Sequence, residues 1–238
     1  MDQLKPLSLR DRIFVLCMKG LEQGTGRRLS QIAEENLDPS NAVAVWLGPG
    51  HVQEFYRGIP NCMVIDSRRE DVKRRLVQSF SSDLIRFYYG DDLIGNEVGA
   101  AAKNVVGIAA GFLDGKGLSS LKGALMSRGT REVARLIQAM GGSQLSAYGL
   151  CHLGDYEATV FSRYSHNRQF GESFIRGETY TDLAEGYYTV EALVLLGQRH
   201  GVELPICQAV HRVLYCGADP MQELRALLDR NLTREFGE

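Results

Sequence analysis

The chain has 238 residues, 44% of them hydrophobic and 24% charged, with 27 basic against 29 acidic side chains. A formal net charge of −2 removes the electrostatic case for nucleic-acid binding, and no apolar run reaches membrane-spanning length. The start MDQLKPLSLRDR lacks a signal-peptide pattern, and the five cysteines (17, 62, 151, 207, 216) lack metal-ligand spacing. A cytoplasmic protein with reduced, mostly buried thiols and no metal site is expected.

The first 91 residues alternate short apolar runs with helical patterns. Strands are predicted over 13–18, 42–47, 61–66 and 84–89, and helices near 30–36, 51–58 and 70–80. Glycines at 20, 24, 26, 48, 50 and 58 mark the joins. The basic group Lys73, Arg74 and Arg75 reads as a solvated helix face. From Asp91 onward the texture becomes helical, with segments over 92–113, 119–140, 166–176, 185–200, 205–215 and 219–229. Pro205 suits a first helical turn, and Gly-Ala-Asp-Pro at 217–220 separates the last two helices. A domain boundary is expected near residue 91, with an α/β portion (1–91) before an all-α portion (92–238).

The stretch Ile94–Phe112 has two faces. Ile94, Val98, Ala101, Val105, Ile108 and Phe112 form an aliphatic stripe at helical spacing. Gly95, Gly99, Ala100, Gly107, Ala110 and Gly111 leave the other side nearly bare except for Lys103, with Asn104 beside it. Glycine in a helix interior costs about 0.5–1 kcal/mol relative to alanine, so several on one face imply close approach of a backbone or a ligand. Two readings stand at this point: a tightly packed helix pair whose lysine reaches solvent, or a docking surface with a functional cation.

Five motifs then occur in order: MKG (18–20), LGPG (47–50), GNEVGAAAKNV (95–105), LGDYEAT (153–159) and SHNRQFG (165–171). In this order and approximate spacing they resemble the soluble NAD(P)-dependent glycerol-3-phosphate dehydrogenases, from about Leu7 to Asn231. The resemblance implies a partial Rossmann-like α/β domain followed by an all-α domain, the two-domain plan of 6-phosphogluconate dehydrogenase. It implies interconversion of sn-glycerol 3-phosphate and dihydroxyacetone phosphate with NAD or NADP. Lys103 matches the family's catalytic lysine, Lys19 a second lysine at the same site and Asp155 its carboxylate. Gly48, Asn104, Thr159, Ser165, His166 and Asn167 match positions around the substrate, and Leu183 and Glu185 positions near the cofactor. A lysine acts as a base only when its pKa is lowered, by burial or by a neighbouring cation, and Lys19 is placed to be that cation. In isolation Lys19 reads as a strand-end lysine, Asp155 as a turn aspartate and Ser165 as an N-cap. The ordered motifs favour the functional reading.

Three departures stand out. His166 occupies the place of an arginine in the family's Ser-Arg-Asn motif, and Arg163 and Arg168 are the nearby candidates to replace its charge. Gly50 replaces a hydroxyl residue. No GxGxxG/A loop follows a strand within these 238 residues, GTG at 24–26 included. The sequence therefore reads as starting partway through the cofactor domain, with weak turnover expected of the chain alone. An open sheet edge is expected too, covered by a second copy or a partner. The alternative function is a non-catalytic module that binds a phosphorylated ligand or dimerises. NAD and NADP are not distinguished.

Overall fold

In a computed structural model the described residues are 4–50, 52–231 and 235. Four strands, β1 (Ile13–Leu16), β2 (Ala42–Leu47), β3 (Asn61–Asp66) and β4 (Ile85–Tyr89), form one sheet in the order β1-β2-β3-β4. Helices α1 (Leu29–Asn36), α2 (Val52–Tyr56) and α3 (Glu70–Phe80) connect them. β1 pairs with β2 in parallel (Ile13 opposite Ala42), and β3 with β4 in parallel (Asn61 opposite Ile85). The central pair, β2 with β3, is antiparallel, with Val45 opposite Asp66. A fully parallel Rossmann sheet would need a helical crossover at that point. Among the described residues the link from Gly48 to Pro60 holds only the five-residue α2, and the chain turns back instead.

Side-chain alternation in β2 explains how the sheet is covered. Ala42 and Ala44 face a core with Ile65, Val72, Leu76 and Phe87, to which Trp46 adds an edge-on contact with Phe87 at 4.7 Å. Val45 and Leu47 face the other way, against Val64, Ala100 and Cys151. One face therefore rests on α3. The other receives the helix that carries Lys103.

That helix, α4 (Leu93–Gly115), is the axis of the remainder. Its 23 residues run about 35 Å at 1.5 Å per residue. Every residue from Gly95 to Leu113 is buried, and the Asp92 side chain caps its start by accepting from the Gly95 amide at 3.0 Å. The predicted stripe of Val98, Ala101, Val105, Ile108 and Phe112 lies in the main core, with Ile94 packed at its edge. Around it stand α5 (Lys122–Ala139), α6 (His166–Arg176), α7 (Glu185–His200), α8 (Pro205–Tyr215) and α9 (Pro220–Leu228). The stretch after α5 holds 3-10 turns over 144–148 and 153–155 and a π-helical turn over 157–161.

Some local expectations are corrected. Lys73 does not belong to a solvated face: it is buried, and its ammonium donates to the Gly90 carbonyl at 2.7 Å. Of the five cysteines only Cys151 and Cys207 are buried, while Cys17 and Cys216 are exposed. Among the described residues no helix is long and apolar enough to cross a membrane.

Candidate functional site

The bare face of α4 is closed by several neighbours rather than being one open surface. Gly95 and Gly99 lie against Ser146 and His152, and Gly107 lies against Thr159 and Asn167. A Cβ on Gly111 would overlap the Arg168 carbonyl oxygen and come within 2.7 Å of the Glu172 amide. Here the glycines serve close helix packing. The same closeness brings three polar segments onto Lys103 and Asn104.

Lys103 is buried, and its Nζ donates to Thr159 Oγ1 at 2.7 Å and pairs with Asp155 Oδ2 at 2.8 Å. Lys19, on the segment after β1, reaches the same carboxylate oxygen at 2.7 Å and donates to the Gly48 carbonyl at 3.2 Å. Gly48 lies at φ +135°, a conformation open to glycine, and this aims its carbonyl at the lysine. Thr159 Oγ1 donates to the Asp155 carbonyl at 2.7 Å, so it can only accept from Lys103. Two ammonium groups thus share one buried carboxylate, an excess of one positive charge. Burial pulls the Lys103 pKa down to about 8, the Asp155 charge resists and the Lys19 charge assists. The arrangement yields a lysine that exchanges a proton near neutral pH.

The geometry also sorts the protons of Lys103. A neutral amine has two N–H bonds and one lone pair. Thr159 and Asp155 take the two donors. The lone pair remains for a proton, with the Lys19 ammonium close enough to be one donor to it.

Next along α4, Asn104 donates to Glu185 Oε2 at 3.0 Å. The Asn167 side-chain oxygen accepts from the Gly186 amide at 2.8 Å, so α4, α6 and the start of α7 meet here. Ser165 caps α6 by accepting from the Arg168 amide at 3.3 Å. Lys19, Gly48, Lys103, Asp155 and Thr159 therefore form one connected network. Asn104, Asn167 and Glu185 form an adjoining cluster.

Other predicted residues stand apart. His166 is exposed, and its Nδ1 contacts the Tyr180 hydroxyl at 2.8 Å, with Asp182 at 3.8 Å. Leu183 is 66% exposed. Arg168 does not supply the missing arginine charge, because Asp114, Glu172 and the Ser162 carbonyl hold its guanidinium. Arg163 stacks over the Tyr164 ring at 5.0 Å. A cavity of about 920 Å³ opens beyond the far end of α4, lined among others by Ala109, Phe112, Leu125, Val210 and Leu224; none of the predicted site residues lines it.

His152 and Tyr156 were not anticipated. Both are fully buried and they flank Asp155. Their spacing of four around an aspartate in CHLGDY was the available signal.

Comparison with known proteins gives the family. A family model described as NAD-dependent glycerol-3-phosphate dehydrogenase C-terminus matches residues 92–225, and its N-terminal counterpart matches residues 1–73. The chain is 37% identical over 234 residues to the glycerol-3-phosphate dehydrogenase [NAD(P)+] of Agrobacterium fabrum, covering 97% of this chain and 71% of that protein. It is 41% identical over 229 residues to the protein of the same description from Thermus thermophilus, covering 93% and 70%. The crystal structure of glycerol-3-phosphate dehydrogenase from Coxiella burnetii superposes with a TM-score of 0.89 at 31% identity, over 96% of this chain and 72% of that one. The chain belongs to the NAD-dependent glycerol-3-phosphate dehydrogenase family.

Proposed function

We propose that this chain carries the site that interconverts sn-glycerol 3-phosphate and dihydroxyacetone phosphate, with Lys103 as the general acid and base. The observation that carries the reading is Lys103 itself: a buried amine held by Thr159 and Asp155 beside the Lys19 charge, its pKa pulled down by burial to about 8. In the oxidative direction neutral Lys103 takes the proton of the C2 hydroxyl as the hydride leaves C2. In the reverse direction protonated Lys103 returns it to the carbonyl oxygen. Asp155 holds Lys103 and Lys19 together, and Lys19 supplies positive charge beside a substrate that becomes an oxyanion. Asn104, Thr159 and Asn167 orient the substrate hydroxyls. Gly48 holds Lys19. The amides of His166 and Asn167, at the start of the eleven-residue α6 that Ser165 caps, have no helical partner and receive the phosphate, with the Ser165 hydroxyl beside them.

The residues present suit the reacting end of a nicotinamide cofactor. A Cβ on Gly20, next to Lys19, would meet nothing within 4 Å, and apolar Leu183 is exposed two residues from Glu185. Leu183 and Glu185 would hold that ring, which supplies the hydride-accepting carbon when bound. The chain divides near residue 91, with 1–91 as cofactor portion and 92–238 as substrate portion. β1, bonded only to β2 among the described strands, presents an edge for a second copy or a partner strand. Sedimentation tests this: a mass above one 26.4 kDa chain supports a second copy, and a single-chain mass contradicts it.

Calorimetry and turnover together test the functional reading. Binding of glycerol 3-phosphate, with reduction of dihydroxyacetone phosphate by NADH or NADPH that Lys103→Ala abolishes, supports the dehydrogenase. Phosphate-ligand binding with neither nicotinamide binding nor turnover supports the non-catalytic module instead.

A further inference from the structure

Asp155 and Thr159, the two partners of Lys103, sit on a short irregular segment rather than on a regular helix. Such a segment needs its own anchors to hold two side chains against a buried amine. His152 and Tyr156 are positioned to be those anchors. His152 is completely buried, and its Nδ1 lies 2.8 Å from the Gly99 carbonyl oxygen, one turn before Lys103 on α4. Its Nε2 lies 2.7 Å from the Tyr156 hydroxyl, and the two rings meet edge to face at 4.9 Å. A carbonyl only accepts, so Nδ1 carries the hydrogen and Nε2 accepts from the tyrosine. Gly99 makes the approach possible, since a Cβ there would stand 3.1 Å from that of His152. Between the two rings, the Asp155 amide donates to the His152 carbonyl at 3.0 Å. The Val160 and Thr159 amides both donate to the Tyr156 carbonyl, so the clamp extends to the turn that carries Thr159.

We infer that His152 and Tyr156 are positioning residues, clamping the 152–160 segment to the Gly99 carbonyl of α4 so that Asp155 and Thr159 meet the Lys103 ammonium. The inference rests on the reading of Lys103 and Asp155 as the reacting pair and adds two residues that hold that pair in place. The groups facing the imidazole fit a structural, uncharged ring. Burial and the nearby Lys103 charge press its pKa down to about 4, against the weaker pull of the Gly99 carbonyl and Asp155. Burial likewise keeps the Tyr156 phenol protonated, so it remains a donor. Neither group changes charge as Lys103 titrates, and the clamp stays constant across the working range.

The test follows Lys103 itself by carbon-detected NMR of lysine-labelled protein, its signal identified by its loss in Lys103→Met. The wild-type midpoint is expected near 8. Tyr156→Phe keeps the ring but removes the donor to His152. Loosening Asp155 weakens the attraction that favours the ammonium, so the midpoint falls by about half a unit or more, roughly a threefold change in protonation ratio. Thr130→Val, beside the Tyr156 hydroxyl at 3.4 Å and remote from Asp155 in the network, leaves the midpoint in place while lowering stability. His152→Asn, a smaller donor to Gly99, shifts the midpoint in the same direction as Tyr156→Phe. A Tyr156→Phe protein that is less stable but keeps the wild-type midpoint overturns the inference. Failure of the underlying reading shows elsewhere, as undiminished turnover in Lys103→Ala.

Discussion

At the scale of single residues, Lys103 is governed by three opposing influences, and each can be removed separately. Burial lowers its pKa, Asp155 raises it and Lys19 lowers it. With Lys103 as the proposed base, oxidation of glycerol 3-phosphate is expected to need the neutral amine, its rate climbing with pH and levelling off above about 8. Reduction needs the ammonium, so its rate is flat below that value and declines above it. Asp155→Asn removes the attraction and moves both profiles to lower pH, whereas Lys19→Met removes the repulsion and moves them to higher pH. Profiles of kcat/KM for the two variants check the signs, and shifts in the same direction would contradict the assignment. Lys103 itself stands out in the sequence by its isolation on a bare helical face and by the ordered motifs. The hydrogen bonds that engage its donors were not readable, because they come from Asp155 and Thr159, more than fifty residues further along the chain.

At the scale of elements, α4 and α6 illustrate what a glycine-rich face accomplishes. Gly111 and Gly171 let the two backbones touch: a Cβ on either would overlap a carbonyl oxygen of the opposite helix, Arg168 or Ile108. Gly111→Ala or Gly171→Ala is expected to cost about 1–3 kcal/mol or more, because backbone cannot yield as a side-chain tip does. Gly123, in α5, meets nothing within 4 Å, so Gly123→Ala is expected to stabilise by about 0.5–1 kcal/mol. Urea unfolding of the three variants measures both signs, and a stable Gly111→Ala would contradict the packing account. The regular elements were readable because their periodicity is local: β2, β3, α6, α7 and α8 run over the ranges expected from sequence. The segment 144–161 was not, because its 3-10 and π turns have no steady hydrophobic period and are held by distant groups such as the Gly99 carbonyl. The antiparallel β2–β3 pairing escaped for a related reason, since alternation within a strand does not reveal its direction.

At the scale of the whole molecule, the site exists only where the sheet and the helices meet. Lys19 and Gly48 come from the ends of β1 and β2, Lys103 from α4 and Asp155 from the turn beyond α5. Two buried contacts hold these parts in register. Glu97 on α4 receives the Arg28 guanidinium at 2.5 Å and the Ser30 hydroxyl at 2.6 Å at the start of α1. Asn96 donates to Asp66 at the end of β3 at 2.8 Å. Glu97→Ala leaves a buried guanidinium without its carboxylate and is expected to cost about 3–5 kcal/mol, read from denaturant unfolding. A loss below 1 kcal/mol would show that the two halves are held by other contacts. The most direct measurement of the central claim is reduction of dihydroxyacetone phosphate with NADH or NADPH by Lys103→Ala, relative to the unsubstituted chain and with folding verified. A fall of about 10²–10⁴-fold is expected from removal of the proton donor, and a variant that keeps its rate within a few-fold would contradict the assignment of Lys103.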